Sequence, residues 1–200
     1  MKRDEIIKNV VEPMVANIHG APVGTISKLK RSLGKKYSKA DNRTAVSFAL
    51  VCPNFERLTE TQKDIVFFVA CATSLQDTVY RGKGERRMPD ILRKIYYDSG
   101  TSDSGRKAIN DLLGSRILSN GVFLHKMAKY IRMGFDAYPT CRLNMYRLSA
   151  DLLSWNDDDN KTRVEWARGI TDKVEKKTDS KNTSRTSGNN SEEELNGTEN

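Results

Sequence analysis

Twenty residues, GTISKLKRSLGKKYSKADNR (24–43), hold seven Lys or Arg and a single acid, Asp41. Ammonium and guanidinium groups at this density make no covalent bonds themselves; they offer charge and donors to phosphate or carboxylate oxygens. The plainer reading is a solvated helix face, the commonest fate of surface lysines. Groups able to do bond-making chemistry are few. Asp157, Asp158 and Asp159 stand in a row, but consecutive helical positions point different ways, and acids ahead of a helix ordinarily cap it. GKGER at Gly82 lacks the strand, the spacing and the Lys-Ser/Thr pair of a phosphate-binding loop. His19 and His125 have no nucleophile near them in sequence. Cys52, Cys71 and Cys141 lie far apart in apolar surroundings, as reduced thiols do, and with only two histidines to add no zinc site is expected. No catalytic residue, metal or cofactor is expected.

Charge along the chain points toward polyanions. The net charge is +8, yet residues 171–200 hold five Lys or Arg against seven Asp or Glu, so the first 170 residues carry +10. A body this basic draws nucleic acid first and acidic surfaces second. No apolar run approaches the roughly 20 residues of a bilayer span. The opening MKRDEIIKNVVEP has no secretory core or cleavage site, so the expected location is cytoplasmic and no membrane partner is expected.

The elements that must position these cations read as helices throughout, with no run of alternating strand residues. IVFFV within LTETQKDIVFFVACATSLQ suggests a buried strand in isolation. Thr59 followed by Gln62 starts it as a capping box, however, and the apolar run continues to Leu75, so it reads as a central buried helix. Other helices are expected near 5–18, 22–33, 40–50, 89–97, 103–116, 121–136, 140–155 and 160–172. Asp103 or Ser104, Thr140 and Asp159 are available as N-caps, and Gly34 can end the second helix. The YRGKGERRMPD loop between the central helix and the next reads as mobile. Residues 1–175 form the expected helical domain, in two lobes if the chain breaks near 81–88 or 98–103. Residues 176–200 are polar and nearly free of apolar anchors, the composition of a disordered tail.

At 100° per residue, Phe123, Leu124, Met127, Ala128, Ile131 and Phe135 share one side of the 121–136 helix. His125, Lys126, Lys129 and Arg132 share the other, and no carboxylate occurs between Asp111 and Asp136. In 22–33, Ile26, Leu29 and Leu33 face inward while Lys28 and Arg31 face out, with Lys30 on the flank. In 103–116, Lys107 faces out, with Asp111 four residues on as an equally good ion-pair partner. Arg116 falls on the apolar side if that helix continues, so its head must snorkel out. Aromatics are sparse among these cations, Tyr37 and Tyr130 being the close ones, so phosphate contact is expected and base stacking is not.

YRLSADLLSWNDDDNKTRVEWARGI (146–170) resembles the closing motif of the CasB family, the small subunit of the type I-E CRISPR Cascade surveillance complex. The matching positions are Leu148, Asp151, Leu152, Trp155, Trp166 and Ala167. SKLKRSLGK is similar to that family's basic N-terminal stretch, with Lys30 and Arg31 in the basic places, and SGRKAINDLL and FLHKMAKYIR follow in the family's order. Lys stands for Arg at several basic places, the aromatic after the Trp-Ala helix is missing, and the polar tail is extra. The resemblance implies an all-α, two-lobed helical bundle without catalytic activity. Two copies would sit beside the backbone and large subunits, steadying target DNA paired to the CRISPR RNA together with the displaced strand. Carried over by position, the nucleic-acid contacts are Arg31, Lys107, Arg116 and Lys126, with Lys30, Arg106, Lys129 and Arg132 as neighbours. Trp155 and Trp166 read as packing anchors. A free-standing helical nucleic-acid binder and a basic helical adaptor for acidic proteins are the competing readings.

Overall fold

The computed structural model describes residues 1–76, 82–98, 100–117 and 121–171. The tail expected over 176–200 lies outside the described residues, as does Arg81. The described chain is all-α: α1 (Arg3–Ile6), a π segment (Ile7–Val11), α2 (Glu12–His19), α3 (Val23–Ser32), α4 (Asn42–Val51), α5 (Glu60–Thr73), α6 (Met88–Tyr96), α7 (Asp103–Gly114), α8 (Val122–Ala137), α9 (Met145–Leu153) and α10 (Lys161–Thr171). Short 3-10 turns occupy Tyr37–Lys39 and Phe55–Arg57.

α5 is the axis. Its start is the capping box read from the sequence: the Gln62 N–H donates to Thr59 Oγ1 and the Thr59 N–H to Gln62 Oε1. Every residue from Asp64 to Ser74 is buried, so the continuous apolar run is, as its length indicates, a helix covered on all sides. α2, α3, α8 and α9 pack around it. On one side Tyr37, Phe48, Phe55 and Phe67 interlock with ring centroids 5.1–5.7 Å apart. On the other, Phe123, Trp155 and Trp166 stack in sequence at 4.9 and 4.8 Å. The core is continuous between the two groups.

Three local departures from the expected helices have physical causes. Pro13 sits inside a helix that otherwise runs from Arg3 to His19; a proline ring clashes with the carbonyl four residues back, and the π segment just before it relieves that clash. The helix expected from 140 begins at Met145, capped by Asn144 and not Thr140. The preceding backbone is taken by an isolated bridge, in which the Arg86 N–H donates to the Arg142 carbonyl (2.9 Å) and the Asn144 N–H to the Arg86 carbonyl (2.8 Å). That bridge also ties Arg86, at the end of the Gly-rich loop, to the segment before α9. Gln76 clamps Leu143 through two hydrogen bonds of 2.8 and 3.0 Å, and a Cβ on Gly84 would fall on the Arg142 carbonyl. Finally, α7 is capped by Ser102 and stops at Gly114.

Candidate nucleic-acid interface

The basic stretch 24–43 folds as nearly all of α3, a turn, a 3-10 segment and the start of α4, and its turn lies against α8. Lys30 and Arg31 occupy the last turn of α3, where cations complement the carbonyl end of the helix. Leu33 and Gly34 end it, Gly34 at φ +92°, the left-handed region glycine adopts freely. Three contacts then run antiparallel along α8. Arg132 Nη2 donates to the Lys30 carbonyl at 3.2 Å. A Cβ at Gly34 would stand 2.9 Å from Ala128 Cβ and 3.4 Å from His125 Cα, and one at Gly121 would stand 2.8 Å from Lys36 Cγ. From Arg132 to Gly121 this seam covers eleven helical steps, about 16 Å.

Cations flank the seam on both sides. Arg31, Lys35 and Lys39 are exposed on one side and His125, Lys126, Lys129 and Arg132 on the other. Of these, Arg31, Lys35, Lys39, Lys126, Lys129 and Arg132 have no carboxylate within 4 Å among the described residues. At the Gly121 end they border an open hollow of about 490 Å³ lined by Gly34, Lys35, Lys36, Lys39, Val122 and His125. Lys36 is neutralised from below: its Nζ is 3.6 Å from Asp64 Oδ2, while Asp64 Oδ1 accepts the Tyr37 N–H at 2.9 Å. Burial pushes the Asp64 carboxyl above its ordinary range, against the Tyr37 hydrogen bond and Lys36, which pull it down.

The structure thus brings together Lys30, Arg31, Lys129 and Arg132, with Lys126 further round the exposed face of α8. Sequence reasoning named the stretch but singled out neither Lys35 nor Lys39, and it missed Asp64, the acid directly before the apolar run of α5. Lys107 is exposed on α7, and no Lys107–Asp111 ion pair forms within 4 Å. α7 packs against α8, and the Asp111 carboxylate is near enough to Tyr130 of α8 to add, after burial, to the upward push on its hydroxyl. Arg106 is committed elsewhere, its Nε to the Tyr96 carbonyl (3.1 Å) and its Nη1 to Asp103 (2.9 Å). Arg116 is exposed beyond the end of α7 and does not snorkel from a helix. Its segment is fixed by Trp155 Nε1 donating to the Ser115 carbonyl and by Asn156 bonding both backbone groups of Ile117.

The closing motif is structural. Leu148, Leu152, Trp155 and Trp166 are buried, and Trp166 Nε1 donates to Asp151 Oδ2 at 2.8 Å. Arg147 pairs with Asp151 at 3.0 Å and with Glu165 at 3.2 Å, and Arg87 approaches both acids. Burial raises the Asp151 carboxyl despite the indole hydrogen bond and the two arginines. Asp157, Asp158 and Asp159 are exposed, and Asp159 Oδ1 accepts the Lys161 N–H at the start of α10. No three His, Cys, Asp or Glu side chains among the described residues are grouped to hold a metal. No helix among them is long and apolar enough to cross a membrane.

This architecture belongs to the class of compact all-α proteins with a central buried helix and a one-signed basic seam at the surface. No protein-family model matches the sequence, and no curated protein does. Among solved structures, the crystal structure of M. ruber CasB aligns with a TM-score of 0.56 at 15% identity, covering 84% of this chain and 92% of that chain. The chain has a CasB-like fold.

Proposed function

We propose that this chain is a non-catalytic subunit of a cytoplasmic Cascade-type CRISPR complex, in which the α3–α8 seam holds nucleic-acid backbone and prolongs the R-loop formed by guide RNA and target DNA. The partners are then CRISPR RNA, the target and displaced DNA strands, the backbone and large subunits, and a second copy of the chain. The observation that carries the reading is the seam itself: two segments joined by contacts 85 to 102 residues apart in sequence converge their cations on a CasB-like fold. Exchange of a DNA duplex for a heteroduplex is nearly balanced in energy, so a few backbone contacts suffice to tip it. The complex raises the effective concentration of a binder whose own affinity is only about 10⁻⁴ to 10⁻⁶ M.

The test is R-loop lifetime in a reconstituted complex with and without the subunit, across a salt series. The subunit should lengthen it, and Arg31→Glu with Lys126→Glu should abolish the gain. With the free protein, the same pair should weaken duplex binding roughly 60-fold at 0.1 M salt, as the loss of two phosphate contacts implies. Lys2→Glu with Lys8→Glu, exposed but away from the seam, should leave both readouts unchanged. An unaltered lifetime without the subunit overturns the reading and sends the basic faces to a search for an acidic protein partner.

A further inference from the structure

The hollow at the Gly121 end of the seam offers more than charge. Gly34, Gly121 and Val122 line it, Val122 with 49% of its surface exposed, and the Lys36 stem lies against Gly121. Around this apolar patch stand Lys35, Lys39 and His125, all exposed, and the two lysines have no carboxylate within 4 Å among the described residues. A ligand suited to the place carries several anionic groups beside one apolar side chain. The chain holds such a segment itself. Residues 186–200 contain four acids and no Lys or Arg, and Glu192, Glu193 and Glu194 run directly into Leu195, the one large apolar residue after Val174. Taking the seam as the nucleic-acid surface proposed above, we infer that segment 192–195 docks in this hollow and that nucleic acid displaces it. Its carboxylates meet Lys35 and Lys39, and Leu195 covers Val122.

The chain is long enough for this. Trp166 of α10 reaches Phe123 of α8 through Trp155, at ring-centroid steps of 4.8 and 4.9 Å. Thr171 follows Trp166 by five residues, about 8 Å of helix, which puts the end of α10 roughly 30 Å or less from the hollow. Twenty residues, 172–191, separate it from Glu192. A coil of that length spans about 25 Å on average and about 70 Å when fully drawn out. Such a tether holds the segment at an effective concentration in the millimolar range. Exposed ion pairs contribute little each, yet a segment Kd of about 1 mM keeps the hollow filled most of the time and weakens a competitor a few-fold. Nucleic acid laid along the whole seam meets six free cations where the segment meets two. It therefore wins when other subunits present it in place, and loses when it arrives as a stray. Three carboxylates against the +10 of the first 170 residues soften repulsion at the hollow and leave the rest of the seam positive.

The experiment is zero-length cross-linking of the full chain with a water-soluble carbodiimide, which joins a carboxylate to an amine in contact with it. Products are mapped by mass spectrometry on a mixture of isotope-labelled and unlabelled protein. The expected result is Lys35 or Lys39 joined to Glu192, Glu193 or Glu194 within one molecule, with a yield that falls when a 30-mer DNA duplex is added. Duplex binding is read in parallel by fluorescence anisotropy. Glu192→Gln with Glu193→Gln and Glu194→Gln should bind about three- to tenfold tighter than wild type at 0.1 M salt, the gap closing toward 0.3 M. Asp172→Asn with Glu175→Gln and Asp179→Asn makes the same charge change nearer α10 and should tighten binding far less. Absence of these cross-links, or equal gains from the two triple variants, would overturn the inference, while duplex binding that still depends on Arg31 and Lys126 keeps the seam. Links found only between molecules would overturn it in favour of a second copy. Cross-links that the duplex leaves undiminished, with binding indifferent to the Glu→Gln variant, would overturn the seam reading on which the competition rests.

Discussion

Asp64 sits beneath the seam and ties two of its parts together. Its carboxylate pins the Tyr37–Lys39 turn through the Tyr37 N–H and neutralises Lys36. Asp64→Asn keeps an acceptor for that N–H and releases Lys36, so duplex affinity should rise several-fold at 0.1 M salt, with a slope steeper by up to about 0.9; unchanged or weaker binding of a labelled DNA duplex, read by fluorescence anisotropy, would sink this role. Asp151 is the matching case in the C-terminal group, where the buried Trp166 indole depends on it. Asp151→Leu leaves that N–H without an acceptor and should cost about 1–3 kcal/mol in urea unfolding, whereas Asp151→Asn retains the acceptor. The pH dependence separates the two further. Burial holds the Asp151 carboxyl above its ordinary value of 3.8, so its contribution to stability is fully present below 3.8 and is lost as pH rises through the raised folded value. Wild type should therefore lose stability relative to Asp151→Asn on going from about pH 4 to pH 7. A constant difference across that range would mean that the carboxyl is not perturbed.

At the scale of elements, the join between the end of α3 and α8 decides whether the cations form one surface. Gly34 makes the join: its φ of +92° suits glycine, and a Cβ there would press on Ala128 Cβ at 2.9 Å. Gly34→Ala should cost about 1–3 kcal/mol and weaken duplex binding with no charge removed, read by thermal melting and anisotropy. Ordinary stability with full affinity would show that the seam tolerates displacement. Gly34 also shows what was legible in advance. Its place after an amphipathic stretch marks a helix end, just as Thr59 and Gln62 mark the start of α5, because such signals are encoded within a few residues. The one-signed outer face of α8 was legible for the same reason. The bridge between Arg86 and Leu143, the commitment of Arg106 to the Tyr96 carbonyl and the Asp64–Lys36 pair were not. Each joins residues that periodicity cannot relate, and tertiary contact alone decides which cations are spent on the fold and which stay free.

For the whole molecule, charge is the dominant peculiarity: the first 170 residues carry +10, and six of the cations crowd along one seam where, among the described residues, the one carboxylate within 4 Å of a seam cation, Asp64, is spent on Lys36. Such self-repulsion destabilises the compact state and is screened by salt over about 10 Å at 0.1 M. The melting temperature of the free protein should therefore climb as salt is raised from 0.02 to 0.3 M. A duplex that binds the folded seam acts in the opposite sense. At a free concentration of 100 times its Kd it adds about 2.7 kcal/mol. For a chain of this size that is a rise of roughly 5–11 °C, greatest at low salt and shrinking as counterions compete for the phosphates. The two curves should converge near 0.3 M. A free protein indifferent to salt would mean that its cations are balanced in the fold. A duplex-induced rise that survives undiminished to 0.5 M would mean that something other than phosphate charge holds the nucleic acid.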